Sequence, residues 1–150
     1  MLRSCFLGVI SALSFAPFNV FPIFLITFAR LFVKIYEIKE TKPLLAEAFC
    51  FFFGLHVGCL YWVAYPLTLD FEKHGILIPF AVTLIPAYLS LFLLVPTFFL
   101  QKKAVGDFWK PAAFATSFCL TMMLYGNFFP GFPWVLPGYI WCCHEIFLQT

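Results

Sequence analysis

The sequence predicts an all-α membrane protein of about five transmembrane helices plus a truncated sixth, with no soluble domain. Three observations carry that prediction. Hydrophobic residues make up 63% of the 150 and charged residues 11%, with a mean hydropathy of +0.98, against roughly 45–50% and about 25% in soluble domains. The apolar residues stand in continuous uncharged runs, not in the short alternating segments of a barrel. The basic residues also gather where short loops between such runs would place them on one side of a bilayer. A soluble chain of this length buries only about 68–70% of its surface, so most of this apolar surface must meet lipid or other helices.

From Ser4 to Phe28 the chain reads as one long span or as a hairpin broken at Ala16-Pro17-Phe18-Asn19 and Pro22. Charge favours the hairpin, with Cys5–Phe15 going out and Val20–Val33 returning. Arg3, Arg30, Lys34, Lys39, Lys42, Lys102, Lys103 and Lys110 then share one side, leaving Lys73 as the only basic residue opposite. By the positive-inside rule that side is cytoplasmic, giving a multi-pass membrane protein with its N-terminus in the cytoplasm. Arg3 followed by an apolar run resembles a signal peptide, but Phe15-Ala16-Pro17-Phe18-Asn19 is no small-residue cleavage site, so the segment is expected to stay.

The next span is expected from Glu47 to about Leu69, closing on the interfacial aromatics Tyr61, Trp62 and Tyr65. Gly75–Leu100 is free of charge and long enough to cross, with kinks expected at Pro79, Pro86 and Pro96. A fifth span is expected from Pro111 to about Tyr125. Gly126 to Trp134 is too rich in Gly and Pro for an ordinary helix and reads as an outer loop or re-entrant segment. A sixth span begins at Val135 and is cut short at Thr150.

Three short motifs now resemble a known family. Leu13-Ser14-Phe15-Ala16-Pro17-Phe18-Asn19-Val20-Phe21-Pro22 is similar to the first outer turn of apolipoprotein N-acyltransferases. Tyr61-Trp62-Val63 resembles their third-span Trp-Val. Gly131-Phe132-Pro133-Trp134 with Gly138-Tyr139 resembles their Gly-Phe-Pro-Trp…Gly-Tyr signature. The resemblance implies that residues 1–150 are the N-terminal transmembrane domain of such an enzyme, which moves a fatty acyl chain from phospholipid to the N-terminal cysteine of a diacylglyceryl-lipoprotein. It also implies an acyl-donor entrance near Trp62, Gly131, Phe132, Pro133, Trp134 and Tyr139, although an aromatic belt would place the two tryptophans there equally well. Family members carry a nitrilase-like domain with a Glu-Lys-Cys triad, expected to be absent here, and a Glu-x-x-Arg pair where this sequence has Met122 and Tyr125. The expectation is therefore a degraded or split gene product, inactive alone. Its partners would be the phospholipid bilayer and a separately encoded nitrilase-like half, with an apolipoprotein as substrate only once that half is supplied.

The residues themselves offer no catalytic or metal constellation. Acyl transfer through a thioester needs a thiolate and a base within hydrogen-bond reach, and the one cluster, Cys142-Cys143-His144-Glu145, fans out by about 100° per residue in a helix. Cys50 and Cys59 fall on opposite helix faces, and they, Cys5 and Cys119 read as packing residues. No cofactor is expected, and a net charge of +2 suggests no nucleic-acid partner. Gly54-x-x-x-Gly58 is a small-xxx-small pattern for close helix packing, or an accident facing lipid, with Gly8 expected to matter less. His56 is expected to be satisfied by a neighbouring helix, and Arg30 to anchor at the headgroups. The rival function is a small multispan transporter or pore subunit that oligomerises through the Gly54–Gly58 face, for which only His56 and Arg30 hint at an intramembrane path.

Overall fold

The computed structural model describes residues 1–99, 106–127 and 135–141, and every regular element among them is a helix. Helix α1 (Leu2–Ser11) runs into a 3-10 turn at Ala12–Ser14. The chain then reverses through Phe15–Val20, where the Ala16–Pro17 bond is cis and Asn19 has φ 54°, a left-handed conformation that Asn tolerates better than most residues. Helix α2 (Phe21–Glu37) returns alongside α1, with Pro22 in its first turn, where no amide hydrogen is needed. The long first segment is thus a hairpin.

Helix α3 (Thr41–Leu60) continues through a 3-10 turn at Tyr61–Ala64 into the short α4 (Tyr65–Thr68). It starts six positions before Glu47, the expected start, so Lys42 and Glu47 both lie within its first two turns. A short α5 (Phe71–His74) leads through Gly75–Leu77 into α6 (Ile78–Phe92), and α7 (Leu94–Phe99) follows. The three prolines act differently from one another. Pro79 sits in the first turn of α6 and costs nothing there, and Pro86 is accommodated inside the helix. Pro96 lacks the amide that would reach the Phe92 carbonyl, and the helix breaks at Leu93, just after that carbonyl. Helix α8 (Lys110–Asn127) takes in Gly126 and Asn127, expected to be loop, and Asn127 Nδ2 donates to the Met123 carbonyl at 2.7 Å. A 3-10 segment, Pro137–Trp141, is the last element described.

Among the described residues two stretches are long and apolar enough to cross a membrane, Thr41–Thr68 and Phe71–Phe92, while Leu2–Ser14 is a shorter apolar helix. Hydroxyl side chains inside the helices return their protons to the carbonyl one turn back: Thr27 to Ile23 at 2.8 Å, Ser90 to Pro86 at 2.6 Å, Thr97 to Leu93 at 3.0 Å and Thr121 to Ser117 at 2.8 Å. That arrangement satisfies a polar group without water.

Helix α3 is the centre of the bundle, with Leu44, Ala48, Phe51, Phe52, Leu55 and Leu60 all buried. On one side α1 runs parallel to it at backbone contact. A Cβ at Gly54 would collide with the Cys5 carbonyl, and one at Gly8 with the Phe51 carbonyl. A Cβ at Gly58 would come 2.6 Å from the Ala12 Cβ. Gly8, expected to matter less than Gly54, is therefore its counterpart on the opposing helix. On the other side Phe114 and Phe118 of α8 pack against Phe28 of α2, with ring centroids 6.0 and 5.3 Å away.

Alanine is worth about 1 kcal/mol more than glycine inside a helix, whereas forcing a methyl against a fixed backbone costs about 1–3 kcal/mol or more. Gly8→Ala and Gly54→Ala are therefore both expected to lower the unfolding midpoint in mixed micelles. Gly138→Ala, where a Cβ meets nothing within 4 Å, should leave it unchanged. Equal midpoints for all three would refute the close contact.

Candidate functional site

The most concentrated polar chemistry among the described residues lies where α1 begins, α2 ends and α3 begins. Glu47 is 5% exposed, on the face of α3 that α1 covers. Its carboxylate accepts a hydrogen bond from the Ser4 hydroxyl and pairs with Lys34 of α2. Its other oxygen is 3.1 Å from the Met1 ammonium. Lys34 Nζ also donates to Ser4 Oγ at 3.2 Å. One acid thus ties three helices together. A buried carboxylate without such partners would be strongly unfavourable, so α1, α2 and α3 must keep this register for Glu47 to be tolerated.

Two further polar ties span the bundle. The Ser11 hydroxyl of α1 donates to Thr27 Oγ1 of α2. His56 of α3 is buried, with its Nδ1 2.9 Å from both the Phe52 carbonyl and Ser90 Oγ of α6. The Ser90 proton goes to Pro86, so both partners accept, which assigns the Nδ1 proton to His56. The neighbouring helix satisfies this histidine.

At the opposite end, Trp62 follows α3 and is 40% exposed, between the exposed Tyr61 and Tyr65. Tyr139, 42% exposed, belongs to the Pro137–Trp141 segment, which docks on the start of α2 with the Trp141 and Phe21 rings 5.0 Å apart. Trp62 and Tyr139 therefore share one end of the bundle. Gly131, Phe132, Pro133 and Trp134 lie outside the described residues, as do Cys142, Cys143, His144 and Glu145. Cys5, Cys50, Cys59 and Cys119 are free thiols, the first three partly buried and the last exposed. No three His, Cys, Asp or Glu side chains converge as a metal site among the described residues.

In the sequence Glu47 reads as the edge of a span and Lys34 as one cation of a basic cluster, so neither stands out there as a site residue. The available signal was an acid followed at once by a long apolar run, with Lys34 a short loop away; an ionisable group at such a place is expected to be paired. Lys34 is 46% exposed and keeps access to solvent. Lys34→Met, which leaves the buried carboxylate short of one cation, is therefore expected to destabilise by about 1–3 kcal/mol. Glu47→Gln should cost less, and the double variant less than the sum of the two. Unfolding in mixed micelles measures all three, and the opposite ranking would contradict the assigned pairing.

Comparison with known proteins identifies this framework. The family described as "Apolipoprotein N-acyltransferase N-terminal domain" matches residues 7–150. Among curated relatives, the apolipoprotein N-acyltransferase of Rhodopseudomonas palustris is 31% identical over 140 residues, covering 88% of this chain and 26% of the relative. That of Caulobacter vibrioides is 31% identical over 140 residues, covering 89% and 26%. That of Rickettsia bellii is 28% identical over 155 residues, covering 98% and 29%. The chain spans about a quarter of the length of the first of these relatives. The match runs through nearly all the helices described above, and the chain belongs to the apolipoprotein N-acyltransferase family, whose N-terminal domain it carries.

Proposed function

We propose that these residues are the membrane-embedded scaffold of an apolipoprotein N-acyltransferase, whose complete form transfers a fatty acyl chain from phospholipid to the N-terminal cysteine of a lipoprotein. The family match over residues 7–150 carries this reading. The apolar outer faces of the helices support it: Phe80, Leu84 and Leu91 of α6, Ile26 and Val33 of α2, and Leu120 and Met123 of α8 are exposed, as suits helices whose solvent is lipid. The scaffold supplies position rather than chemistry. The covalent step needs an activated nucleophile, and none of Cys5, Cys50, Cys59 and Cys119 is hydrogen-bonded to a base among the described residues. A nitrilase-like unit, on the same or a separate polypeptide, would supply the catalytic triad. Trp62, Tyr139 and the Gly131–Trp134 segment would form part of the acyl-donor entrance at its end of the bundle.

Charge supports an orientation for this scaffold. Arg3, Arg30, Lys34, Lys39 and Lys42 fall at the end where α1 starts, α2 ends and α3 starts, and Lys110 Nζ lies 5.3 Å from the Tyr36 ring centre at that same end. Lys73 belongs to the other end, beside Asp70 at 3.0 Å. The basic end is then cytoplasmic and the Trp62 end periplasmic, in the inner membrane. The transporter or pore reading draws only on His56 and Arg30, and His56 Nδ1 is already engaged within the bundle.

Two experiments test the proposal. In spheroplasts, single cysteines in a cysteine-free background should react with a membrane-impermeant thiol reagent at position 71 and not at position 41; the reverse pattern would overturn the orientation. Residues 1–150 alone should transfer no acyl group to a diacylglyceryl-cysteine peptide. The same residues fused to the remaining three quarters of the Rhodopseudomonas palustris enzyme should, and Trp62→Ala or Trp134→Ala should lower that rate severalfold. Transfer by residues 1–150 alone, or a correctly inserted but inactive fusion, would contradict the scaffold role.

A further inference from the structure

Two arginines at the basic end line grooves on the surface of the bundle. Lys34 is held by Glu47, Lys73 by Asp70, and Lys110 lies over Tyr36. Among the described residues no ion pair or hydrogen bond engages Arg3 of α1 or Arg30 of α2. Both line a groove of about 470 Å³ between the two helices, with Ser4, Leu7, Val33 and Lys34 also in its wall and Glu37 as its single acidic lining residue. A second groove of about 660 Å³ shares Arg3, Leu7 and Arg30 and is otherwise walled by Leu2, Cys5, Phe6 and Val9.

The combined surface has two parts of different chemistry. Arg3 and Arg30 line both grooves, and the forked donors of a guanidinium match phosphate oxygens. Away from them runs a wall of aliphatic and aromatic side chains along the outer face of α1. A free phosphate would use the first part and leave the second exposed, whereas a membrane phospholipid uses both. The charge balance selects among phospholipids. Glu47 is already shared by Lys34 and the Met1 ammonium, so Arg3 and Arg30 leave the groove positive even with Glu37 present. A headgroup carrying its own ammonium would face that excess, and a net-negative one would neutralise it.

We propose that the α1–α2 groove is a binding site for one anionic phospholipid of the leaflet on the Arg3 side, its phosphate between Arg3 and Arg30 and one acyl chain along Leu7, Phe6 and Val9. This site lies at the end of the bundle opposite Trp62 and Tyr139, so it is separate from the proposed acyl-donor entrance. It rests on the bilayer setting of the preceding reading but not on acyl transfer. A lipid held there would brace α1 against α2 next to the Glu47 tie.

The test uses the full 150-residue chain in phosphatidylcholine nanodiscs doped with a photoactivatable phosphatidylglycerol whose diazirine sits high on the acyl chain. Protease protection of the helices confirms insertion separately, so a chain that never enters the bilayer is distinguished from one that enters without a lipid site. The proposal expects adducts concentrated in Leu2–Val9 and Ala29–Lys34. It expects competition by unlabelled phosphatidylglycerol and none by millimolar inorganic phosphate. Arg3→Gln and Arg30→Gln should each reduce the yield about fivefold, with Lys73→Gln as an unchanged control. Adducts spread evenly over α6 and α8, competition by inorganic phosphate, or yields insensitive to both arginine variants would overturn it. Should an arginine variant fail to fold, the adduct map of the unmodified chain decides alone.

Discussion

The backbone of α1 lies directly on the backbone of α3, and the rest of the bundle depends on that contact. Gly8 and Gly54 face each other's helices so closely that neither position has room for a methyl group. In lipid no hydrophobic drive pulls two apolar helices together, so association relies on close packing and interhelical polar contacts. Glycine supplies the first of these at a cost of roughly 1 kcal/mol per residue in helix propensity. Once α1 is seated, Glu47 comes within reach of Ser4 and the Met1 ammonium, and α2, returning through the Phe15–Val20 turn, delivers Lys34 to the same carboxylate. A slide of one helical turn would separate these groups by about 5.4 Å and strand a buried charge.

The polar ties then distinguish the two ends of the molecule. Glu47 and its partners close the basic end, while His56 and Ser90 join α3 to α6 further along the bundle. These ionisable groups are engaged internally, which suits a scaffold better than a conducting path. The far end is left with the exposed aromatics Tyr61, Trp62 and Tyr65, the surface at which the proposed enzyme would meet its acyl donor. Tied by Glu47 at one end and aromatic at the other, the arrangement fits the proposed domain that holds chemistry supplied from elsewhere.

Much of this was legible because the signals were local. The break at Ala16-Pro17-Phe18-Asn19 marked a reversal, and the reversal is where Asn19 adopts its left-handed conformation. Family motifs pointed to a membership that the match over residues 7–150 establishes. The missed features depend on what another helix brings. Gly8 carries no pattern of its own, and its importance comes from the Phe51 carbonyl opposite. Glu47 looks like the edge of a span because it is the last charge before the apolar run, whereas α3 begins at Thr41. Pro79, Pro86 and Pro96 look alike in sequence, yet Pro79 lies in the first turn of α6, Pro86 inside it and Pro96 just past the interruption at Leu93, places that only the helix bounds distinguish.

Disulfide trapping measures the α1–α3 contact most directly. A Cβ at Gly58 would stand 2.6 Å from the Ala12 Cβ, so after slight relaxation an Ala12→Cys/Gly58→Cys pair would lie within the Cβ separation of about 3.5–4.5 Å that a disulfide requires. With the six native cysteines replaced, mild oxidation in membranes should join this pair, so that fragments cut by trypsin between α2 and α3 stay linked until reduction. An Ala12→Cys/Leu84→Cys control should not link. Failure of the first pair to cross-link, or equal linking of the control, would contradict the packing on which the account rests.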